Sequence, residues 1–178
     1  MDNRCVRISR FPSLVDDVTV RLIAAGVLVV SVAALATGQW WLYAVLAVDF
    51  TLRAGWGPQA SPLARLVQRA VRPRVAAAPR YTAGPPKRFA AAIGAVMTAT
   101  ATVLGLVSLF TGSSGAGLAV LVIGAVMVLF PALEAVFGVC VGCLLFGLLM
   151  RTGLVPEDVC LDCADLTRRA SRLQTTAS

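Results

Sequence analysis

The run Gly117–Met150, GLAVLVIGAVMVLFPALEAVFGVCVGCLLFGLLM, decides how this chain folds. It is 34 residues long, and Glu134 is its only charged side chain. A bilayer suits such a segment, because about 20 apolar residues in a helix cross its roughly 30 Å of hydrocarbon. One straight helix over the whole run would reach about 50 Å, too long for a single crossing. Two full crossings would need about 40 residues. Pro131 removes a helix hydrogen bond, so the pattern predicts that one helix ends near Phe130 to Glu134. A second piece, Ala135 to Met150, is then expected to re-enter or to lie at the interface.

The rest of the chain agrees. Its 178 residues are 58% hydrophobic and 14% charged, with mean hydropathy +0.81. That is too apolar for a soluble domain. Leu22–Gln39 and Phe89–Leu133 contain no ionisable group. Spans are expected at about Val18–Ala36, in the stretch Trp40–Pro58, at about Phe89–Phe110, and from Leu118 onward. The predicted fold is therefore all-α: a polytopic membrane protein with four transmembrane helices in two hairpins. Residues 1–152 form the helical membrane domain, and 153–178 a separate tail. The first helix is expected to stay, because Asp16 and Asp17 interrupt the basic N-terminus and no cleavage site follows the apolar run.

Charge gives the orientation. The net charge is +7, and fifteen of the sixteen basic residues are arginine. Arg53 to Arg88 holds eight basic residues and no acid. Such a block marks the cytoplasmic side of a bacterial membrane and touches anionic lipid, rather than nucleic acid. Both termini are also basic and are expected on that side. Between Arg53 and Arg88, the stretch SPLARLVQRAVRPR predicts an interfacial amphipathic helix, with Ser61 as N-cap and Pro62 in its first turn. Leu63, Leu66, Val67, Ala70 and Val71 share its apolar face. Trp40, Trp41 and Tyr43 suit the headgroup level at the start of the second span.

Three charges in or beside the spans are candidate site residues. Asp49 and Arg53 are four apart on one helix face, which favours an ion pair with Arg53 reaching outward to the headgroups. Glu134 is a candidate proton carrier or anchor.

Four of the five cysteines form two CxxC pairs, Cys140/Cys143 and Cys160/Cys163. The first pair sits inside the apolar run; the second sits among Glu157, Asp158, Asp162 and Asp165. Cys5, alone near the N-terminus, reads as a small hydrophobe. Beside the bland reading as buried small hydrophobes, which the acids around Cys160 and Cys163 argue against, two uses of the four-cysteine set compete. A CxxC at a helix start can cycle between dithiol and disulfide, and two pairs can pass electrons or sulfur between them. Four thiolates can instead hold a structural zinc or an iron-sulfur cluster. The chain has no histidine, so any metal site rests on sulfur and carboxylate. A third use of the fold is transport of a small sulfur anion past Asp49, Arg53 and Glu134.

One family resemblance rests on particular residues. Asp49-Phe50…Arg53, Pro58…Ser61-Pro62, Gly84-Pro85-Pro86-Lys87-Arg88-Phe89-Ala90 and the two CxxC pairs stand in an order that resembles a bacterial membrane family catalogued as domain of unknown function 4395. The resemblance runs from about Phe11 to Ala164. It implies a small helical membrane protein that keeps company with thioredoxin-like or rhodanese-like partners, and it names no activity. The expected function is thiol-disulfide or sulfur transfer with a soluble partner. Nothing in the sequence excludes an oligomer.

Overall fold

The computed structural model describes residues 14–152 apart from residue 79. Cys5, the tail 153–178 and its Cys160/Cys163 pair lie outside the described residues.

The fold is all-α. Helix α1 is Asp17–Thr37, α2 is Trp41–Trp56, α3 is Pro62–Leu66, α4 is Gly84–Thr111, α5 is Ser114–Phe137 and α6 is Val141–Arg151. Local chemistry sets the ends. Asp16 caps α1 by accepting from the Val18 amide, and Ser113 caps α5 by accepting from the Ala116 amide. Gly38 (φ 67°) and Gly138 (φ 70°) end α1 and α5 in the left-handed conformation that glycine adopts without strain.

Three helices, α1, α4 and α5, are long and apolar enough to cross a membrane. Helix α2 has 16 residues, about 24 Å, so it falls short of a full hydrocarbon layer by itself. It lies along α4, while α1 lies along α5 and α4 also touches α5. The two sequence hairpins are thus interleaved, each helix packing more on the other hairpin than α1 packs on α2.

The bundle is apolar on the outside as well as in its core of Val27, Leu46, Phe50 and Met127, unlike a soluble domain. Val29, Val96, Val122 and Phe110 point outward. The buried face of α4 is Ala91, Gly94, Thr98, Ala101 and Gly105, spaced alternately three and four apart. That stripe lets neighbouring backbones approach closely, as membrane helices require. A side chain at Gly94 would run into the Phe50 ring, and one at Gly105 into Trp40.

Three expectations are corrected. Pro131 does not end the fourth long helix. Helix α5 runs through it to Phe137 and stops at Gly138 instead. Pro131 removes one backbone donor but is itself buried against neighbouring helices, where a membrane protein tolerates the break. The final helical piece therefore begins at Val141, not Ala135. Tyr43 does not face outward toward headgroups; it is 1% exposed, packed with Ala34 and Ala101. Trp41, by contrast, stays half exposed.

The amphipathic segment has its expected start, with Ser61 capping Ala64 and Pro62 in the first turn. After α3 it widens into a π-helical turn, Val67–Val71, and tightens into a 3₁₀ turn, Arg72–Arg74. Its buried face is Ala64 and Val67 against Ile23 of α1, whereas Leu66 and Val71 are exposed. The expected apolar face is thus divided between the bundle and the outside. A short antiparallel ribbon, β1 (Leu14–Asp16) with β2 (Tyr81–Ala83), joins the chain ahead of α1 to the chain ahead of α4. Periodicity gives no sign of strands only three residues long.

Candidate functional site

The two turns Thr37–Gln39 and Gly112–Ser113 lie at one end of the bundle and carry no charge. Among the described residues, charged side chains collect at the other end, and two groups of them concern the site.

The first group centres on Asp49, which is 2% exposed. Its carboxylate accepts from the Ser61 hydroxyl at 2.5 Å and from the Leu63 amide at 3.0 Å. It also accepts from the Arg53 guanidinium. Asp49 therefore ties α2 to the start of α3. Arg53 does not reach outward as expected. Its side chain is 15% exposed and lies over the Phe50 ring, 5.0 Å from the centroid. Burial against Phe50 and the pull of Asp49 outweigh solvation of the headgroup kind.

The second group surrounds a cavity of about 120 Å³. Arg53, Lys87, Glu134 and Cys140 line it at the charged end, and Met97 and Met127 at its inner end. Lys87 Nζ lies 2.6 Å from Glu134 Oε1 and 3.9 Å from Asp17 Oδ1. Arg53 Nε is fully buried and finds no hydrogen-bond partner among the described residues.

Cys140 is the N-cap residue of α6, and Cys143 lies in the first turn. Gly138 ends α5, so only Val139 intervenes before the next helix starts. Close packing fixes this helix. A side chain at Gly142 would meet the Ala90 backbone at 2.7 Å, and the Phe89 and Phe146 rings stack at 5.5 Å between centroids. Both cysteines are free thiols; Cys140 is buried and Cys143 partly exposed.

The two sulfurs are electrostatically unequal. A hydrogen bond from the Cys143 thiol holds Cys140 below the ordinary thiol value; the Lys87 charge and the Cys143 amide add to this, against burial and Glu134. The same bond lifts Cys143 well above its ordinary value, as does burial. Cys140, the thiol that is held lower, is also the one that lines the cavity.

Of the residues singled out from sequence, Cys140, Cys143, Arg53 and Glu134 are brought together here. Asp49 stands behind Arg53 as its anchor. Among the described residues no three Cys, Asp or Glu side chains gather to hold a metal. Cys160 and Cys163, needed for either four-cysteine arrangement, lie outside the described residues. Lys87 was missed as a site residue. Its signal was present: it is the single lysine in a chain with fifteen arginines.

The sequence profile of the domain of unknown function DUF4395 matches residues 15–151. The chain belongs to this family. The matched segment includes Cys140, Cys143, Lys87 and Glu134, and stops short of Cys160 and Cys163. No curated protein and no solved structure matches the chain.

Proposed function

We propose that this DUF4395 protein is a thiol-disulfide exchanger of the bacterial cytoplasmic membrane, with its charged end and both termini in the cytoplasm. The observation that carries the reading is Cys140 at the N-cap of α6, three residues ahead of Cys143 and lining one cavity with Lys87. A helix N-terminus and a nearby cation stabilise a thiolate, the form that attacks sulfur. The cytoplasmic assignment draws on the basic block Arg53–Arg88.

In this reading Cys140 and Cys143 are the membrane-side pair, and Cys160 and Cys163 meet a soluble thioredoxin-like or rhodanese-like partner. A partner dithiol reduces the tail disulfide, taking up that disulfide as its own. The tail dithiol then reduces the Cys140–Cys143 disulfide, so two electrons and two protons move inward at each exchange. Sulfur transfer would use the same thiolates, with a persulfide in place of the mixed disulfide.

The test is exchange with reduced thioredoxin. The full chain, oxidised, is expected to accept two electrons into each pair, and Cys160→Ser with Cys163→Ser is expected to isolate Cys140–Cys143 from thioredoxin while small thiols still reduce it. Cysteines that hold a tightly bound zinc or iron cluster, and do not exchange, would overturn the reading in favour of a scaffold with a Cys₄ site.

A further inference from the structure

Resting on the exchange reading above, we infer that the cavity beside Cys140 receives the ring of a quinone, which takes electrons from the Cys140/Cys143 dithiol. Four observations carry this. The cavity, about 120 Å³, is close in size to the roughly 150 Å³ apolar cavity known to hold a benzene ring. Its inner end is apolar, with Ile93, Met97 and Met127, and it lies within the helices that cross the membrane. A ligand is therefore best drawn from the lipid phase.

The polar end selects the chemistry. Arg53 is paired with Asp49, and Lys87 with Glu134. The lining charges are thus compensated, which disfavours an anion. On the lining residue Arg53, one donor, Nε, is buried and without a partner among the described residues. A buried donor left unpaired is costly, and a neutral carbonyl oxygen satisfies it. Finally, the sulfur favoured as thiolate, Cys140, faces this same space while Cys143 is the more exposed of the two. A flat apolar molecule with carbonyls, next to a dithiol, is a two-electron acceptor. The step balances. Cys140 and Cys143 give up two electrons and two protons and form one disulfide; the quinone takes both, and its two carbonyls become hydroxyls.

The experiment uses the full chain in detergent, reduced, with ubiquinone-1. Every ring position of this quinone is substituted, so thiols cannot simply add to it. Two Cys140/Cys143 thiols are expected to disappear for each hydroquinone formed. Filling the cavity with Ile93→Trp should slow this by more than about tenfold, and Arg53→Lys, which keeps the charge but removes Nε–H, by about tenfold, the weight of one well-placed hydrogen bond. Oxidation of Ile93→Trp by glutathione disulfide, which needs no cavity, should stay at the parent rate; this also shows that the variant is folded. In Cys140→Ser/Cys143→Ser, ubiquinone-1 should still raise the melting temperature. Oxidation by glutathione disulfide but not by quinone, quinone oxidation indifferent to Ile93→Trp, or binding without thiol loss would each overturn the quinone site and leave the exchange reading standing. Failure with both oxidants would remove the exchange reading itself.

Discussion

Asp49 and Glu134 are both carboxylates at the charged end of the same bundle, and they behave differently. Asp49 accepts from three donors on two elements and is closed off from solvent. Among the described residues the Glu134 carboxylate accepts from Lys87 alone, and it shares a cavity with Cys140. A saturated buried carboxylate is a joint. A carboxylate and ammonium left facing open space and two sulfurs can tune reactivity. The contrast separates structure from chemistry among residues that look alike in sequence.

Variants can break this contrast. The largest effect is expected for Cys140→Ser, which should abolish thiol exchange at the membrane-side pair while leaving the melting temperature in detergent nearly unchanged; a large loss of stability would make the cysteine structural. Asp49→Ala should do the reverse. It strands the buried Arg53 charge and unpairs Ser61 and the Leu63 amide, at a cost of about 3–5 kcal/mol, read as a fall in unfolding midpoint. Gly142→Val forces α6 away from Ala90 and should cost about 1–3 kcal/mol. It should also blunt exchange, because α6 carries both cysteines.

Smaller changes sharpen the second half of the comparison. Lys87 lowers the Cys140 pKa and Glu134 raises it. Lys87→Met removes the stabilising charge, so the pH profile of Cys140 alkylation should move to higher pH, with less thiolate at neutrality. Glu134→Gln should move it to lower pH. Equal or reversed shifts would mean that neither charge faces the sulfur. The smallest expected effect is Ser113→Ala at the uncharged end, about 1 kcal/mol for a lost N-cap and no change in thiol chemistry.

Much of this was legible in the sequence. Charge-free runs disclosed α1, α4 and α5, and Ser61-Pro62 disclosed the start of α3, because solvation and capping are local. Pro131 misled, since whether a proline ends a helix depends on what packs around it. Tyr43 misled likewise: an aromatic near a span end looks the same whether it meets headgroups or, as here, the small faces of Ala34 and Ala101. The pairing of α1 with α5 and of α2 with α4 is a property of three-dimensional packing, and so is the meeting of Lys87 with Glu134 across 47 residues. The CxxC spacing pointed to Cys140 and Cys143, but only the helix boundary at Gly138 puts Cys140 at an N-terminus.

The most direct measurement is disulfide mapping by mass spectrometry on the full chain, purified without chelator or reductant, across a series of glutathione redox buffers, with metal content measured in parallel. The account predicts a Cys140–Cys143 disulfide that forms and breaks reversibly within the series, in protein that carries no stoichiometric metal. Cysteines that stay as thiols throughout, or about one zinc per chain that is lost in Cys160→Ser as a Cys₄ site requires, would contradict it.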